Sequence, residues 1–400
     1  MNTQYTFIIR CYISCALGAG LISPIFAQAD FGGCLDSLQG RLEARGISAS
    51  TFDRATQGLT PNMKVLELQE YQPEFKIPIW DYLARLVDDQ RIADGKNQMQ
   101  QWSSVLAQAE RRYGVDRHAL VALWGVESDY GKSMGKLPLV QSLTTLVCYG
   151  RPRKQDYFLG ELANILKIVQ RGDIPLGTLM GSWAGAFGHT QFMPSTFQRL
   201  AVDFDGDGRR DIVNSVPDAL GSTANFLSRS GWRFGEPWGY EVRLPGGGAP
   251  GRRQSVGAWA AAGVTRADGQ PLSGSGSGSA RLIMPAGASG PTFLLLKNFD
   301  VLMSYNPAES YALAIAHLSD RIRGGGPLLT PWPTRDRGLS RAEIREVQNL
   351  LSSRRIYTGE LDGAIGAQTH QAIKDYQSRI GLNPDGRAGG VVLEALRAGR

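Results

Sequence analysis

Glu127 stands at the end of the run 119–126, which is almost wholly apolar. Leu120, Leu123 and Trp124 recur at the spacing of one helical face, and the next place on that face is Glu127 itself. A stripe of this kind packs into a core. Burial disfavours the charged form of a carboxyl and raises its pKa. A carboxyl so raised can hand over a proton near neutral pH, which is the work of a general acid. A buried glutamate paired with a base such as Arg153 or Lys154 is the structural alternative, and the helix alone leaves the two readings even.

The segment 181–195 is dominated by small residues, where backbone can come close to a ligand. Ser182 and Gln191 offer hydrogen bonds, while Trp183, Phe187 and Phe192 offer a stacking face. Sugar rings use both. Tight helix packing accounts for the glycines as well, but less readily for Gln191. A third cluster, Asp203-Phe204-Asp205-Gly206-Asp207-Gly208, matches the first six positions of an EF-hand loop, with glycine at the turn. Its twelfth position is Asn214 rather than glutamate, which leaves Asp211 and Asp218 as further oxygen donors. Hard oxygens at alternate positions suit Ca2+, although a solvated acidic turn has the same composition. His118, His189, His317 and His370 show no ligand spacing, and no Ser-His-Asp arrangement is visible. His189 reads as a cleft wall rather than a base.

These residues need elements to hold them. Asp116 is placed to cap the helix carrying Glu127, and Gly131 to stop it. Residues 34–115 carry helical stripes such as Trp80, Leu83 and Leu86, and helices continue through 116–235. Residues 236–298 change character. Gly246-Gly247-Gly248, Pro250-Gly251 and the run from Ser273 to Ser279 separate short apolar pieces such as Phe293-Leu294-Leu295-Leu296, which predicts a small β insertion. Helical patterning returns at 308–323. Residues 324–337 have a Gly/Pro linker composition, which predicts a tether that lets the rest of the chain move separately. Beyond it, Ser340 and Glu343 form a capping box ahead of Ile344, Val347 and Leu351. Ile373 and Tyr376 mark a second helix, and Val392 and Leu396 a third. The turn Asp362-Gly363 recurs as Asp385-Gly386.

The chain has 43 basic and 37 acidic side chains, a net charge of +6 spread without blocks. That excludes a dedicated nucleic-acid arm and suits an anionic polymer. Arg10, the apolar run 11–26 and Ala27-Gln28-Ala29 read as a signal peptide over 1–29, interrupted by Gly18, Gly20 and Pro24 and short for an anchor. The expected destination is the periplasm. Cys34 follows a poor lipoprotein context. After cleavage Cys34 and Cys148 remain, and an oxidising compartment favours one disulfide between them over two separate thiols.

Together, Gly125-Val126-Glu127-Ser128-Asp129-Tyr130-Gly131, the segment from Gly185 to Ser195, Tyr157-Phe158 with Gly160-Glu161-Leu162, and Ser304-Tyr305-Asn306 resemble the lytic murein transglycosylase B family, in order across 34–323. Residues 338–398 resemble a three-helix peptidoglycan-binding domain. The resemblance implies an α+β, mainly helical chain: a lysozyme-like catalytic region (30–323) with extra helices and a small β insertion, a linker (324–337), and a binding module (338–400). It implies cleavage of the β-1,4 bond between N-acetylmuramic acid and N-acetylglucosamine, leaving a 1,6-anhydromuramic end, with Glu127 as acid and base. It implies glycan contacts at Ser182, Gln191, Phe192, Tyr305 and Asn306. Phe226 falls where the family has a tyrosine, so the ring remains and its hydroxyl does not. A structural Ca2+ is implied on Asp203, Asp205, Asp207 and Asp218, with Arg209 as a backbone ligand; the chemistry itself requires no cofactor. Peptidoglycan strands are the expected partner of a monomer, and wall-synthesis or secretion machinery is a further partner class. A hydrolytic muramidase would need a second carboxylate, and Asp129, two residues on, points to another helix face. A non-catalytic wall-binding protein would have no use for Glu127.

Overall fold

The computed structural model describes residues 24–69, 77–245, 251–272 and 278–399, with side chains from Phe31 onward. Most of the expected signal segment, the triple glycine at 246–248 and most of the 273–279 run lie outside the described residues.

Two apolar cores make up the large N-terminal region. The first is built around the helix Arg117–Ser128, in which every residue from Ala119 to Gly125 is buried. Asp116 caps it, its side chain accepting from the backbone N–H groups of His118 and Ala119. Burying Leu120, Leu123 and Trp124 removes large side chains from water at roughly 1.5–3 kcal/mol each. Helices Ser103–Tyr113, Val216–Arg229 and Glu309–Arg323 complete this core. The second core gathers Leu139–Tyr149, Pro152–Arg171, Pro194–Leu200 and the helix Pro24–Glu43. A Cys34–Cys148 disulfide ties the last of these to Leu139–Tyr149, with 6.0 Å between the Cα atoms. Phe226 and Tyr305 pack against both cores and so mark their seam.

The Arg117–Ser128 helix stops before the expected Gly131. Asp129 and Tyr130 both take left-handed backbone conformations, at φ 51° and 59°, and break it there. The Tyr130 hydroxyl repays that geometry by donating to the Arg91 carbonyl at 2.8 Å. Gly125 and Gly131 are dictated by contact: a Cβ on the first would lie 2.7 Å from the Tyr130 ring, and on the second 2.4 Å from the His189 ring.

The β insertion is an antiparallel five-stranded sheet. Labelling the two-residue strands Leu137–Pro138 and Met180–Gly181 as β1 and β2, which pair with each other, the sheet contains β3 (Gly239–Arg243), β4 (Arg253–Ser255), β5 (Thr265–Arg266), β6 (Ser279–Ile283) and β7 (Thr292–Leu295), in the order β4-β6-β7-β3-β5. All four β7 residues are buried, because Phe293 and Leu295 face the first helical core while Leu294 faces a small core around Trp259. That two-sided burial explains its continuous apolar run.

Helices Arg341–Ser353, Ala367–Arg379 and Gly390–Arg397 enclose the core of the C-terminal module. The capping box at Ser340 and Glu343 is present. Its doubled Asp-Gly turn has a single explanation. Gln348 accepts from Gly363 N–H and donates to Asp362, and Gln377 accepts from Gly386 N–H and donates to Asp385.

The linker is not the free tether that its composition predicts. Leu329 and Thr330 N–H groups donate to the Glu241 carboxylate at 2.8 and 2.7 Å, and Trp332 packs on Trp80. Gly338 passes so close to the helix Ile79–Leu86 that a Cβ would lie 2.9 Å from the Trp80 carbonyl oxygen. Arg387 then clamps Asp81 of that helix through two hydrogen bonds of 2.7 and 2.8 Å. The Gly/Pro content serves close packing here rather than freedom.

Candidate active site

Glu127 is half-buried in a cleft of about 460 Å³, lined also by Tyr82, Val126, Asn306 and Tyr311. Leu123, Trp124 and Ser128 beside it on the helix are buried, and the withdrawal of water pushes its pKa from the ordinary 4.5 up to about 7. The Tyr311 hydroxyl donates to Glu127 Oε1 and works in the other direction, because it stabilises the carboxylate. Tyr311 is therefore the partner of Glu127, whereas Arg153 and Lys154 are exposed at the start of another helix. Burial and the Glu127 charge raise the Tyr311 and Tyr305 pKa values well above the phenol's usual range, so both hydroxyls stay protonated. Among the described residues lining this cleft, Glu127 is the one carboxylic acid.

The segment 181–195 is folded onto the helix Arg117–Ser128 through His189. Trp124 Nε1–H donates to His189 Nδ1 at 3.1 Å, and Ser128 Oγ donates to the His189 carbonyl at 2.5 Å. Burial lowers the His189 pKa to about 4, so the ring is a neutral acceptor fixing the helix and not a base. Tyr305 crosses to the same segment, donating to the Thr190 carbonyl at 2.5 Å. Its ring lies 4.7 Å from that of Phe226 and 5.9 Å from that of Phe192.

The expected glycan residues therefore fall into two sets. Asn306 lines the cleft with Glu127, and Tyr305 and Phe226 stand half-exposed at the seam beside it. Phe192 is 1% exposed, so its ring backs the other two from beneath. Gln191 adopts φ 51° and turns its amide inward, donating to the Met134 and Gly188 carbonyls at 3.0 and 2.8 Å. Ser182 Oγ accepts from Ala186 N–H at 3.0 Å and closes the turn that precedes them. Glu161, part of the family-like pattern, is buried and accepts from Ser195 N–H and Oγ, capping the helix Pro194–Leu200. Tyr82 and Tyr311 were not singled out in the sequence. Tyr311 lies inside an apolar helix, where nothing local distinguishes it from a core tyrosine.

In the acidic loop, Asp203, Asp205 and Asp218 bring carboxylate oxygens within 4.8 Å of one another. Asp218 comes from the helix Val216–Arg229 and is fully buried. Burial raises its pKa to about 6, against three backbone N–H donors and with the Asp205 charge adding to the rise. Asp207 stands outside this trio, and its carboxylate accepts from Arg209 N–H at 2.8 Å. Gly206 and Gly208 N–H groups both donate to Asp203, curling the loop around its carboxylate.

Comparison with known proteins places this geometry. The transglycosylase SLT domain family matches residues 30–320, and the peptidoglycan binding domain family matches 340–396. The chain is 34% identical over 248 residues to the membrane-bound lytic murein transglycosylase B of Escherichia coli, a match over 60% of this chain and 66% of that protein. It is 43% identical to SltB3 from Pseudomonas aeruginosa, solved in complex with NAG-anhNAM-pentapeptide, with a TM-score of 0.74 over 92% of this chain and 99% of that one. The Escherichia coli lytic transglycosylase SLT35, solved in complex with calcium, is 29% identical with a TM-score of 0.62, over 74% of this chain and 93% of that one.

Proposed function

The chain belongs to the transglycosylase SLT family and is a lytic transglycosylase of peptidoglycan, and we propose that Glu127 is its single acid and base. The observation that carries this is one carboxyl in the cleft, held near pKa 7 with a neutral tyrosine as its partner. Such a group is protonated often enough to act as an acid and ionised often enough to act as a base. In the first half-reaction the Glu127 carboxyl protonates the glycosidic oxygen between N-acetylmuramic acid and N-acetylglucosamine, and the C1–O bond breaks. In the second, the carboxylate takes the proton of the muramoyl C6 hydroxyl while O6 bonds to C1. The product is a 1,6-anhydro end and the acid is restored. No water enters. The hydroxyl is part of the same sugar, so proximity favours it over water. A hydrolase would need a second carboxylate, and Asp129 is committed elsewhere, 2.5 Å from the Arg341 guanidinium.

Around the acid, Asn306, Tyr305 and Phe226 form the glycan-facing surface, while Ser182, Gln191 and Phe192 hold that surface from behind. Asp203, Asp205 and Asp218 are suited to a structural Ca2+, with Asp207 and the Arg209 carbonyl completing the set as the loop closes. The support is the convergence of three carboxylates, one of them, Asp218, with its pKa raised by burial and by the Asp205 charge. The module 338–400 binds peptidoglycan beside the catalytic region 30–323. The chain is exported to the periplasm behind a signal peptide ending near Ala29. The Cys34–Cys148 disulfide supports an oxidising compartment, and no helix among the described residues is long and apolar enough to cross a membrane. Mass spectrometry of products from purified wall is the direct test. Ends lighter by one water than a reducing muropeptide are expected; hydrolytic ends alone would remove the mechanism.

A further inference from the structure

The cleft around Glu127 is closed on one side by the C-terminal module. Arg341, Gly363, Ala364 and Ile365 line the same cavity as Glu127, Asn306 and Tyr311. Building on the assignment of Glu127 as the acid, we propose that this module is a wall of the catalytic cleft. In this arrangement Ala364 sets the room left for the glycan, and Arg341 is the positioning residue that fixes the wall to the end of the acid helix.

Arg341 is the first residue of its helix, and its guanidinium reaches out of the module into the catalytic region. Nε lies 2.8 Å from Asp88 Oδ2 and Nη1 lies 2.5 Å from Asp129 Oδ2. The three side chains are 14%, 4% and 18% exposed. Both acids sit at helix ends. Asp129 terminates the acid helix two residues after Glu127, and Asp88 caps the helix Asp89–Gln101 through Arg91 N–H. A cation at the C-terminus of the acid helix also meets the negative end of its dipole. Charges withdrawn from water to this extent are stable only when paired, so the contact has a fixed geometry.

The wall itself is equally defined. Gln348 holds the turn by accepting from Gly363 N–H at 2.8 Å and donating to the Asp362 carboxylate and the Ala364 carbonyl, each at 2.9 Å. Gly363 takes φ 75°, and a Cβ there would lie 2.7 Å from the Arg341 carbonyl oxygen. The turn and the clamp are therefore one unit. Ala364 is exposed, small, and lines the cavity. Arg387 on Asp81 and Gly338 on the helix Ile79–Leu86 secure the module independently of Arg341.

The test uses the full chain and a soluble tetrasaccharide muropeptide, a substrate too short to need tethering. Ala364→Trp adds bulk at an exposed position and should leave thermal unfolding unchanged. It should lower kcat/KM at least fivefold, mainly through KM. A smaller change overturns the wall and leaves the module a tether. Arg341→Ala should lower kcat/KM at least tenfold, with partial recovery by Arg341→Lys or by millimolar guanidinium, which can refill the gap between Asp88 and Asp129. Wild-type turnover by Arg341→Ala, or a loss that neither recovers, overturns the positioning role. Glu127→Gln runs alongside as the control on the acid. If it retains turnover, the acid assignment fails, whatever Ala364→Trp shows.

Discussion

Glu127→Gln should do two opposite things. The amide keeps the size of the side chain and can still accept from the Tyr311 hydroxyl. It cannot give a proton, so turnover should fall at least about a thousandfold, the loss expected when general acid–base catalysis is removed from both half-reactions. Stability should rise. In the folded chain burial lifts the Glu127 pKa from 4.5 to about 7, so the folded state holds this proton more firmly than the unfolded one. A group raised in this way helps the fold fully below pH 4.5, and the help is lost as pH rises through 7. Carrying a carboxyl over that interval corresponds to about 3 kcal/mol. Half-exposure and local water reduce this, so a gain of about 1–3 kcal/mol for the glutamine variant is expected at pH 8. Almost none is expected at pH 4. Urea unfolding of both proteins between pH 4 and 8 measures the difference directly. A gain that does not change with pH would mean the carboxyl is not raised. Turnover within tenfold of wild type would remove Glu127 from the chemistry.

Tyr311→Phe removes the hydrogen bond from Tyr311 that stabilises the Glu127 carboxylate, so the alkaline limb of kcat/KM should move up by about 1–2 pH units, the worth of a hydrogen bond to a charged group; an unmoved or acid-shifted limb would contradict it. Replacing Cys34 and Cys148 by alanine opens a loop spanning 114 residues and should cost up to about 4–5 kcal/mol in denaturant unfolding, with an unchanged midpoint counting against it. For the acidic loop, Asp218 is raised from 3.8 to about 6; its proton helps the fold below pH 3.8, and that help is lost through pH 6, where a cation can take the proton's place. Ca2+ should therefore stabilise the fold, and raise its melting temperature, more at pH 7 than at pH 5, with a gain in unfolding free energy near 2.7 kcal/mol at about a hundredfold excess over Kd, and identical melting with Ca2+ and with chelator would leave only a solvated turn.

What was legible in the sequence was local. The apolar face ending in Glu127, the Asp116 cap, the Ser340 capping box and the doubled Asp-Gly turn each depend on residues within about one or two helical turns, and each is found. The β insertion was legible because glycine and proline punctuate it, although the two-sided burial of β7 was not. What was not legible lies between distant segments. Nothing near Tyr311 says that its hydroxyl meets a residue on another helix, and nothing near Arg341 says that it meets Asp88 and Asp129. The end of the acid helix was misread for a similar reason. Gly131 looks like the stop, yet its lack of a side chain makes room for the His189 ring, while Asp129 and Tyr130 take the left-handed conformation.

Contacts between distant segments also surround Glu127 with charge. Arg85, Arg91 and Arg341 all line the cleft, and a cation near a carboxyl normally pulls its pKa down. Glu127 is nonetheless raised, with burial as the main cause and the Tyr311 hydroxyl as the opposing one. Arg91 and Arg341 are each answered by carboxylates. Asp88 and Asp129 both bond Arg341, and Asp129 lies 3.6 Å from Arg91. These two positive and two negative charges lie within a few ångströms of one another and offset each other at longer range. Arg91 even has its own pKa lowered, by burial first and by the neighbouring Arg341 charge second. Asp129 thus stands between the two arginines and pairs with both. Its charge offsets theirs, and burial governs the Glu127 carboxyl.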